Sequence, residues 1–359
     1  MRIQVNSDLI KDKLKVANTV AERSEGDKIT HGLYLIAKNG KLTIKSTNTN
    51  LELTLSMGCD IEEEGSAITE ASLFSSYIGK IKGKDIEIYS TSNNLIIEDK
   101  NNKVKLPVYN SNSYPSPRAV NADVNFTIDG NKLKKIIDRT LFVIPSKPNN
   151  AILGTLYLNA KEDGLVEFVA TDTFHLAYVG EAVDVEKPQE FSITRETVQL
   201  INKLDIENEM IKFTASDHSL LIEGDSFELT SQYISGKYPN YNSVLPDGEF
   251  DMHSYPLPSD MEETLDKGLL LSGETNAMKL DFKNDYIEIF NKDKELGYFE
   301  DKVEHNLDGK ELDIALNGKN LLSALKKAGS DMVLNLNEGI APLVLTEDNW
   351  TYLVMPIRQ

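Results

Sequence analysis

The sequence predicts an α+β protein made of three repeated domains, each with two helices packed on antiparallel sheet. One pattern occurs three times: a polar residue suited to begin a helix, apolar residues at helical spacing, and three short alternating strands. Its copies begin at Ile68, Ile193 and Leu316, 125 and 123 residues apart. Near-constant spacing of one pattern indicates an internal repeat rather than a chance likeness of helices and hairpins.

A second element precedes each copy of this pattern. "VNSDLIKDKLKVA" from Val5 and "IDGNKLKKIIDRT" from Ile128 each have a strand end, a turn and an amphipathic helix. "LPSDMEETLDKGLLLSG" from Leu257 is a weaker third copy. The chain is therefore expected to contain six helices, two in each repeat.

Two segments rich in Pro, Gly and Asp separate the repeats, as linkers do. They are "SYPSPRAVNAD", residues 113–123, and "LPDGEFDMHSYPLP", residues 245–258. At 359 residues the chain also exceeds the size of a single ordinary core. We expect domains at residues 1–121, 122–247 and 248–359.

The composition is that of a soluble globular protein, with 40% hydrophobic and 26% charged residues. No apolar run approaches the length of a membrane span, and the N-terminal "MRIQVNSDLIKDKLK" has no signal-peptide core. A single cysteine, Cys59, excludes an intrachain disulfide and a cysteine-built metal site. These features predict a cytoplasmic protein.

No arrangement of residues predicts catalysis. The 5 histidines are scattered without the paired spacing of metal ligands, and no phosphate-binding glycine loop or nucleophile elbow occurs. Asp172 and His175 are close in sequence, but no serine or cysteine nucleophile is placed with them. We expect neither an enzyme nor a metal or other cofactor.

The net charge of −19 argues against a simple nucleic-acid binder unless the charge is unevenly spread. The predicted helical segments carry +8 in total, which leaves −27 for the remaining residues. These segments are residues 7–17, 76–84, 131–139, 194–204, 259–267 and 319–327. Basic helices attract phosphates without regard to base sequence, although a single lysine on a helix is more often part of its solvated face.

Four segments carry a resemblance to a known family. They are the N-terminal "MRIQVNSDLIKDKL", "VATDTFHLAYV" (Val169–Val179), "GKYPNYNSVLP" (Gly236–Pro246) and the final "YLVMPIR" (Tyr352–Arg358). In this order and over its full length, the chain resembles the bacterial DNA polymerase III beta subunit, the sliding clamp family. The resemblance implies three clamp domains per chain, a head-to-tail homodimeric ring, and helices that line a hole for duplex DNA.

The resemblance also implies a hydrophobic groove that binds short peptides of partner proteins. The implied partners are a DNA polymerase III alpha-type subunit, the clamp loader and repair proteins. The groove positions are Leu153 (or Ile152), Thr171, Thr173, Phe174, His175, Leu176, Pro239, Ser243, Val244, Val354, Met355, Pro356, Ile357 and Arg358. Thr171, His175 and Arg358 are expected to hydrogen-bond to the ligand. The segment "WTYLVM" also has the alternation of a last strand that closes the third sheet.

The chain departs from the usual family pattern at Thr173, Phe174, His175 and Ser243. These residues imply a bulkier and less basic groove. Partner motifs are therefore expected to differ from the usual consensus.

Two further sets of residues are expected to make contacts. The DNA-facing set takes six basic residues from the predicted helices, Lys134, Lys135, Arg139, Arg195, Lys203 and Lys326, and the resemblance implies two loop residues, Arg23 and Lys147. The dimer interface is expected to join edge strands, with Val104 and Leu106 of the first domain against Leu270 and Leu271 of the third.

Two other functions stay open on the sequence. One is a clamp-fold interaction scaffold that does not encircle DNA, which the acidic helix at Ser259 and the altered groove would suit. The other is an enzyme with a cleft between repeated domains, for which no catalytic constellation is found.

Overall fold

The structure is a computed structural model that describes residues 1–22, 29–48, 50–99, 101–110, 114–115, 120, 122–216, 219–246, 248–254, 257–293, 295–305 and 308–357. Over these residues it contains the six expected helices. They are α1 (Ser7–Ala21), α2 (Ala71–Lys80), α3 (Gly130–Thr140), α4 (Arg195–Lys203), α5 (Met261–Leu269) and α6 (Gly318–Leu325). None of the helices in this part of the chain combines the length and apolar character that a bilayer span requires.

Side chains just before the helices decide where two of them begin. The Asn6 side chain accepts a hydrogen bond from the Asp8 backbone N–H at 3.0 Å, and Asn317 accepts one from Asn320 at 3.1 Å. Asparagine is favoured at this position because its oxygen satisfies an N–H group that has no partner within the helix. The polar residues that signalled these helix starts in the sequence therefore act as N-caps.

Helix α2 lies earlier in the chain than the predicted segment 76–84. The Glu70 carboxylate accepts hydrogen bonds from two backbone N–H groups of the first turn, so that α2 begins at Ala71 and ends at Lys80. Two lysines of the predicted segment consequently lie beyond the helix, which lowers its positive charge.

The chain divides into two compact units. The first comprises Met1–Lys132 and Gln199–Tyr233, and the second comprises Leu133–Val198 and Ile234–Gln359.

The first ten strands are β1 (Arg2–Asn6), β2 (Gly32–Lys38), β3 (Lys41–Thr47), β4 (Leu51–Gly58), β5 (Asp60–Glu63), β6 (Gly65–Glu70), β7 (Asp85–Ser90), β8 (Asn94–Glu98), β9 (Lys103–Tyr109) and β10 (Phe126–Asp129). The next eight are β11 (Thr155–Ala160), β12 (Leu165–Thr171), β13 (His175–Ala182), β14 (Asp184–Val185), β15 (Gln189–Thr194), β16 (Met210–Ala215), β17 (Ser219–Glu223) and β18 (Phe227–Ile234). The rest are β19 (Met252–Ser254), β20 (Ala277–Phe282), β21 (Tyr286–Asp293), β22 (Gly297–Glu304), β23 (Asp308–Gly309), β24 (Leu312–Asn317), β25 (Val333–Leu336), β26 (Leu343–Glu347) and β27 (Trp350–Val354).

In the first unit, antiparallel pairing joins strands of the first repeat to strands of the second. The order of paired strands is β5, β1, β7, β8, β9, β6, β2, β3, β4, β18, β17, β16 and β10. The joining pair is β4 with β18, in which Leu51 lies opposite Ser231. Each repeat thus covers a sheet edge of the other, whose backbone N–H and C=O groups would otherwise have no strand partner.

The second unit joins the second and third repeats in the same way. Its paired strands follow the order β15, β11, β12, β13, β27, β26, β25, β19 and β23. The joining pair is β13 with β27, in which His175 lies opposite Val354. A separate sheet of four strands has the order β22, β21, β20 and β24.

The threefold pattern predicted from the sequence is confirmed. After α2 come β7, β8 and β9, after α4 come β16, β17 and β18, and after α6 come β25, β26 and β27. The other helix of each repeat follows a short strand: α1 follows β1, α3 follows β10 and α5 follows β19. Each helix turns one apolar stripe inward, as in α1, where Ile10, Leu14 and Ala17 are fully buried.

The start of α3 gives a test of this packing. Gly130 donates a backbone hydrogen bond to Glu209, and a Cβ added to it would lie 1.7 Å from the Ile206 carbonyl oxygen. Gly130→Ala should therefore overpack this contact and destabilise the protein by about 1–3 kcal/mol. The midpoint of thermal unfolding should fall accordingly. Gly79→Ala in α2 is the matched control, since its Cβ would meet nothing within 4 Å and alanine is the better helix former. Equal midpoints for the two variants would contradict the close approach.

Candidate functional site

The turn between β12 and β13 displays an apolar side chain at the surface. The Thr171 hydroxyl donates to the His175 carbonyl at 2.8 Å, and the Asp172 carboxylate accepts from the backbone N–H groups of Phe174 and His175 at 2.8 and 2.9 Å. Thr173 has a φ of 81°, which a β-branched residue seldom adopts. These hydrogen bonds hold the strained turn, and Phe174 is left 68% exposed.

The side chain of His175 is committed to contacts within the protein. Its ring is buried, with Nδ1 at 2.9 Å from the Tyr352 hydroxyl and Nε2 at 3.2 Å from the Asp172 carboxylate. Burial works to raise the pKa of Asp172, but hydrogen bonds from His175 and the turn backbone outweigh it and leave that pKa below its usual value. The expectation that Thr171 and His175 hydrogen-bond to a ligand is therefore corrected: both hold the turn.

The tail residues form both a strand and a surface. Val354 is fully buried at the end of β27, between β13 and β26. Beyond it, the Met355 N–H donates to the Phe174 carbonyl at 2.9 Å and the Ile357 N–H donates to the Ala315 carbonyl at 2.7 Å. Pro356 forms an isolated bridge with Leu316. The interpretation of the tail as a last strand is confirmed by β27, and this strand fixes where the residues that follow it lie.

The predicted groove residue Leu176 belongs to a cluster of buried apolar side chains. Its members are Ile152, Tyr157, Val169, Leu176, Tyr238, Tyr241, Val344 and Leu353, with Leu153 packed against it. The sequence left open whether residue 152 or 153 belonged here, and the structure brings both to the cluster. Phe174, Val244 and Ile357 are the exposed large hydrophobic residues of the described part of the predicted set, at 68%, 39% and 37% exposure.

The segment after β18 is anchored by its two tyrosines. Tyr238 stacks on Tyr157 with ring centroids 4.7 Å apart, and Tyr241 lies 5.8 Å from the same ring. With both tyrosines buried, the predicted groove residues Pro239, Ser243 and Val244 are exposed between and after them. The tyrosines therefore position this segment.

A buried carboxylate supports the same segment, and sequence analysis missed it. Glu167 is 3% exposed and accepts hydrogen bonds from the hydroxyls of Tyr241 at 2.6 Å and Tyr178 at 3.2 Å. It also pairs with Lys161 at 2.8 Å and accepts from Asn159 at 2.9 Å. Burial alone would raise the pKa of Glu167, but these partners hold it below the usual value. In the sequence Glu167 is a single acidic residue among the apolar residues of β12, and that pattern predicts nothing about its partners.

The predicted DNA-facing residues differ in how far they are exposed to solvent. Lys135, Lys147, Lys203 and Lys326 are exposed, and Lys134 is half-buried. Arg195 is half-buried and donates to the carbonyl oxygens of Leu141, at 2.7 Å, and of Ile144. Arg23 lies outside the described residues, as does Arg358 of the groove set.

Arg139 is a correction. Its side chain is 5% exposed, forms an ion pair with Glu347 and lies over the Trp350 ring, 4.9 Å from its centroid. A guanidinium buried in this way is not available to a phosphate. It instead fastens helix α3 to the β26–β27 hairpin.

The summed net charge of the six described helices is positive, as predicted, but smaller than predicted. Over their observed bounds the six described helices carry +3 for α3, +1 each for α1, α2, α4 and α6, and −2 for α5, which totals +5. The predicted +8 included lysines that follow the ends of α2 and α6. The acidic helix is α5, as expected.

Of the four residues predicted for a dimer interface, two lie on a strand and two lie in a turn. Val104 and Leu106 lie on β9, where Leu106 is 8% exposed and Val104 is half-buried. Leu270 and Leu271 follow the end of α5 in a turn and do not lie on a strand, which corrects that expectation. The helix continues to Leu269 because its apolar stripe packs on the strands beneath it, and Leu270 is left 80% exposed.

The buried pair of Arg139 and Glu347 can be tested directly. Arg139→Ala leaves a buried carboxylate without its partner, and we expect it to destabilise the protein by about 3–5 kcal/mol. Lys135→Ala is the control, because its pair with Asp348 at 3.4 Å is solvent-exposed and contributes little. Denaturant unfolding of both variants measures the difference. If Arg139→Ala lowered the free energy of unfolding no more than Lys135→Ala, the buried pair would not stabilise the protein.

Comparison with known proteins agrees with this geometry. The N-terminal, central and C-terminal domains of the DNA polymerase III beta subunit match residues 1–118, 127–240 and 243–358. Beta sliding clamps of Halalkalibacterium halodurans and Pseudomonas aeruginosa are 24% and 23% identical to this chain, cover 96% and 100% of it, and are themselves covered over 95% and 100%. Among solved structures, a sliding clamp from Pseudomonas aeruginosa bound to griselimycin has a TM-score of 0.93 at 21% identity. The beta subunit from Streptococcus pyogenes has a TM-score of 0.92 at 16%, and in both cases all of each chain is covered. Since the three domain families match nearly the whole chain in order, the chain belongs to the DNA polymerase III beta subunit family, the beta sliding clamps.

Proposed function

We propose that this chain is a sliding clamp, a homodimeric ring that encircles duplex DNA and keeps a replicative polymerase on its template. The observation that carries the proposal is the ordered match of all three beta-subunit domains. A topological tether needs no catalytic group, so we take the chain to be a non-catalytic accessory subunit that works in the cytoplasm. Its three clamp domains would span residues 1–121, 122–247 and 248–359.

Two strand edges support a head-to-tail dimer. Residues Lys103–Pro107 of β9 pair with β8 on one side, and no described strand pairs with them on the other. In the four-stranded sheet, β22 is an outer strand. Antiparallel pairing of β9 in one copy with β22 in the other would cover both edges. Leu270 lies at the end of the helix that packs on β22 and would then be buried against the partner.

The basic helices support sequence-independent DNA binding. Lys135 and Lys326 are exposed and make only long surface pairs, with Asp348 at 3.4 Å and Asp266 at 3.7 Å. Such pairs are weak, and a phosphate can replace the carboxylate. A lining of this kind attracts the DNA backbone without fixing a base sequence, which suits a ring that slides.

The groove supports docking of short peptides from a polymerase III alpha-type subunit, the clamp loader and repair proteins. Phe174, Val244 and Ile357 are partly exposed apolar residues of the predicted groove, and the groove residue Leu176 belongs to a cluster of buried apolar side chains. A peptide that buries a few apolar anchors on a preformed surface loses little binding energy to reorganisation. Since Thr171 and His175 are engaged in the turn and the Ser243 hydroxyl donates to the Asn240 carbonyl at 2.7 Å, polar recognition falls to the backbone and to Arg358.

The groove makes a direct prediction. Deleting Met355–Gln359 should abolish binding of a short glutamine-and-leucine peptide and leave the dimer intact, because β27 ends at Val354. Ile357→Ala should weaken binding about tenfold through lost apolar burial. Leu73→Ala, at a side chain 59% exposed on α2, is the control and should change nothing. Fluorescence anisotropy measures the affinities, and unchanged affinity in the deletion variant would refute the groove.

The ring makes a second prediction. The protein, once loaded, should stay on nicked circular DNA and be lost when that DNA is linearised. Leu270→Glu should give a monomer by mass in solution and lose this retention, whereas Met210→Glu, at another exposed apolar residue, should do neither. Equal escape from circular and linear DNA would exclude a ring.

A further inference from the structure

Beside helix α1, the first unit contains two adjoining cavities of about 280 and 410 Å³. They share five lining residues, which are Asp12, Val16, Lys203, Leu204 and Asp205. We call this space the α1 crevice. The proposed function assigns no ligand to it, and its surroundings have a close counterpart in the second unit.

Helix α1 corresponds to α3. The N–H groups of Ser7 and Gly130, at the two helix starts, each donate at 2.9 Å to the carbonyl just before the next paired strand, β7 or β16. The side chain just before each helix accepts from the second helical N–H, at 3.0 Å in α1 and 2.9 Å in α3. Counted from these starts, Val16 takes the place of Arg139.

The joining strand β18 corresponds to β27. The carbonyl just before each strand accepts an N–H from the partner strand, at 2.8 Å from β4 and at 3.1 Å from β13. By this register Phe227 takes the place of Trp350. In the turn before each strand, Gly224 takes the place of Glu347.

In the second unit the corresponding space is filled by side chains of the chain itself. Arg139 lies over the Trp350 ring, 4.9 Å from its centroid, and pairs with Glu347. All three residues are buried. The first unit has valine and glycine in place of the arginine and the glutamate, so the guanidinium is missing. The α1 crevice is therefore the space that a guanidinium fills in the other unit.

The acidic residues around the crevice lack the cation that their counterparts have. In the second unit Lys135 pairs with Asp348 at 3.4 Å. By the same correspondence, Asp12 and Asp225 take these two places, so two acids replace an ion pair. Neither they nor Asp205 of the crevice wall pair with a cation among the described residues. A cation placed between such carboxylates would remove their repulsion.

We propose that the α1 crevice is a docking site for an arginine side chain of a partner protein, which fills the place that Arg139 fills in the second unit. A guanidinium stacks on an aromatic ring and bonds to carboxylates, and the crevice offers Phe227 with Asp12 and Asp205. Leu9 also lines the crevice and is 66% exposed, which gives apolar surface to the segment that carries the arginine. The site does not depend on the proposed ring.

A lysine in the wall is compatible with this occupant. Lys203 lines the crevice, and its Nζ lies 3.4 Å from the Thr19 hydroxyl. Lys326 takes its place in the second unit, since in both cases the next N–H donates to the carbonyl three residues back at the helix end. The second unit holds the guanidinium of Arg139 although this lysine is present.

The test uses the full-length protein with labelled leucine and valine methyl groups. The probe is the blocked peptide acetyl-Ala-Arg-Ala-amide, and its matched control carries citrulline, the uncharged analogue of arginine. The arginine peptide should shift the methyl signals of Leu9, Val16 and Leu204 saturably and leave those of Val344 and Leu353 in the second unit unmoved. No saturable shift at the crevice, or an equal shift with the citrulline peptide, would overturn the proposal.

Two acidic variants separate this site from general attraction to a negative protein. Asp205→Asn should weaken binding of the arginine peptide at least about threefold. Asp184→Asn makes the same change at an exposed residue of the second unit and should leave the affinity unchanged. Equal affinities for the two variants would mean that the crevice does not bind the guanidinium.

A third variant supplies the guanidinium from α1 itself. Val16→Arg should fill the crevice, abolish the shifts of Leu9 and Leu204 with the arginine peptide, and leave the melting temperature unchanged or higher. Undiminished shifts in this variant would contradict the site. A clear fall in its melting temperature would mean that the crevice cannot hold an arginine side chain, and would equally count against the proposal.

Discussion

The structure depends on antiparallel pairing between repeats. Within the second unit, β27 has β26 on one side and β13 on the other, so the last strand of the third repeat completes the sheet of the second. A strand between two partners satisfies its backbone on both sides and cannot slip in register without exposing its buried face. This pairing is why Trp350, Tyr352, Leu353 and Val354 are buried to within 1% of their surface. It also fixes the direction in which the residues after Val354 leave the sheet.

The groove is therefore a consequence of the sheet rather than an independent pocket. Phe174 reaches the surface because the turn before β13 is held by its own hydrogen bonds, and Met355 is fastened to the same residue through the backbone. Below them, Glu167 gathers the hydroxyls of Tyr178 and Tyr241. A buried carboxylate with all these partners is satisfied, and it holds the aromatic side chains to one arrangement. An ordered floor of this kind suits the peptide docking that we propose, because the protein need not be ordered first.

The two joining pairs share one construction. Before β4 the Thr47 hydroxyl donates to the Leu51 carbonyl, as the Thr171 hydroxyl does to the His175 carbonyl before β13. The side chains at matching positions differ: Glu52 lies opposite Thr230 in the first unit, where Leu176 lies opposite Leu353 in the second. The backbone pairing that closes the sheet is therefore compatible with either pair of side chains.

The sequence by itself determined the local features: the threefold pattern, the six helices, the turns and the continuation of the tail from a strand. These follow from periodicity and from short-range polar signals such as the caps at Asn6 and Asn317, which act over a few residues. The groove side chains, by contrast, were predicted through the family resemblance, because no local pattern marks a peptide-binding surface.

Only the tertiary structure decided which groups pair with the buried charged and polar side chains. Arg139 meets Glu347 across 208 positions of sequence and His175 meets Tyr352 across 177, so neither contact leaves a trace in a local pattern. An arginine on an amphipathic helix has the same pattern whether it faces solvent or a carboxylate from a distant hairpin. The position of Leu270 beyond α5 and the role of Glu167 beneath the groove were decided in the same way, by which strands pack together. Burial and pairing depend on the whole fold, because the energy of a charge is set by what surrounds it and not by its neighbours along the chain.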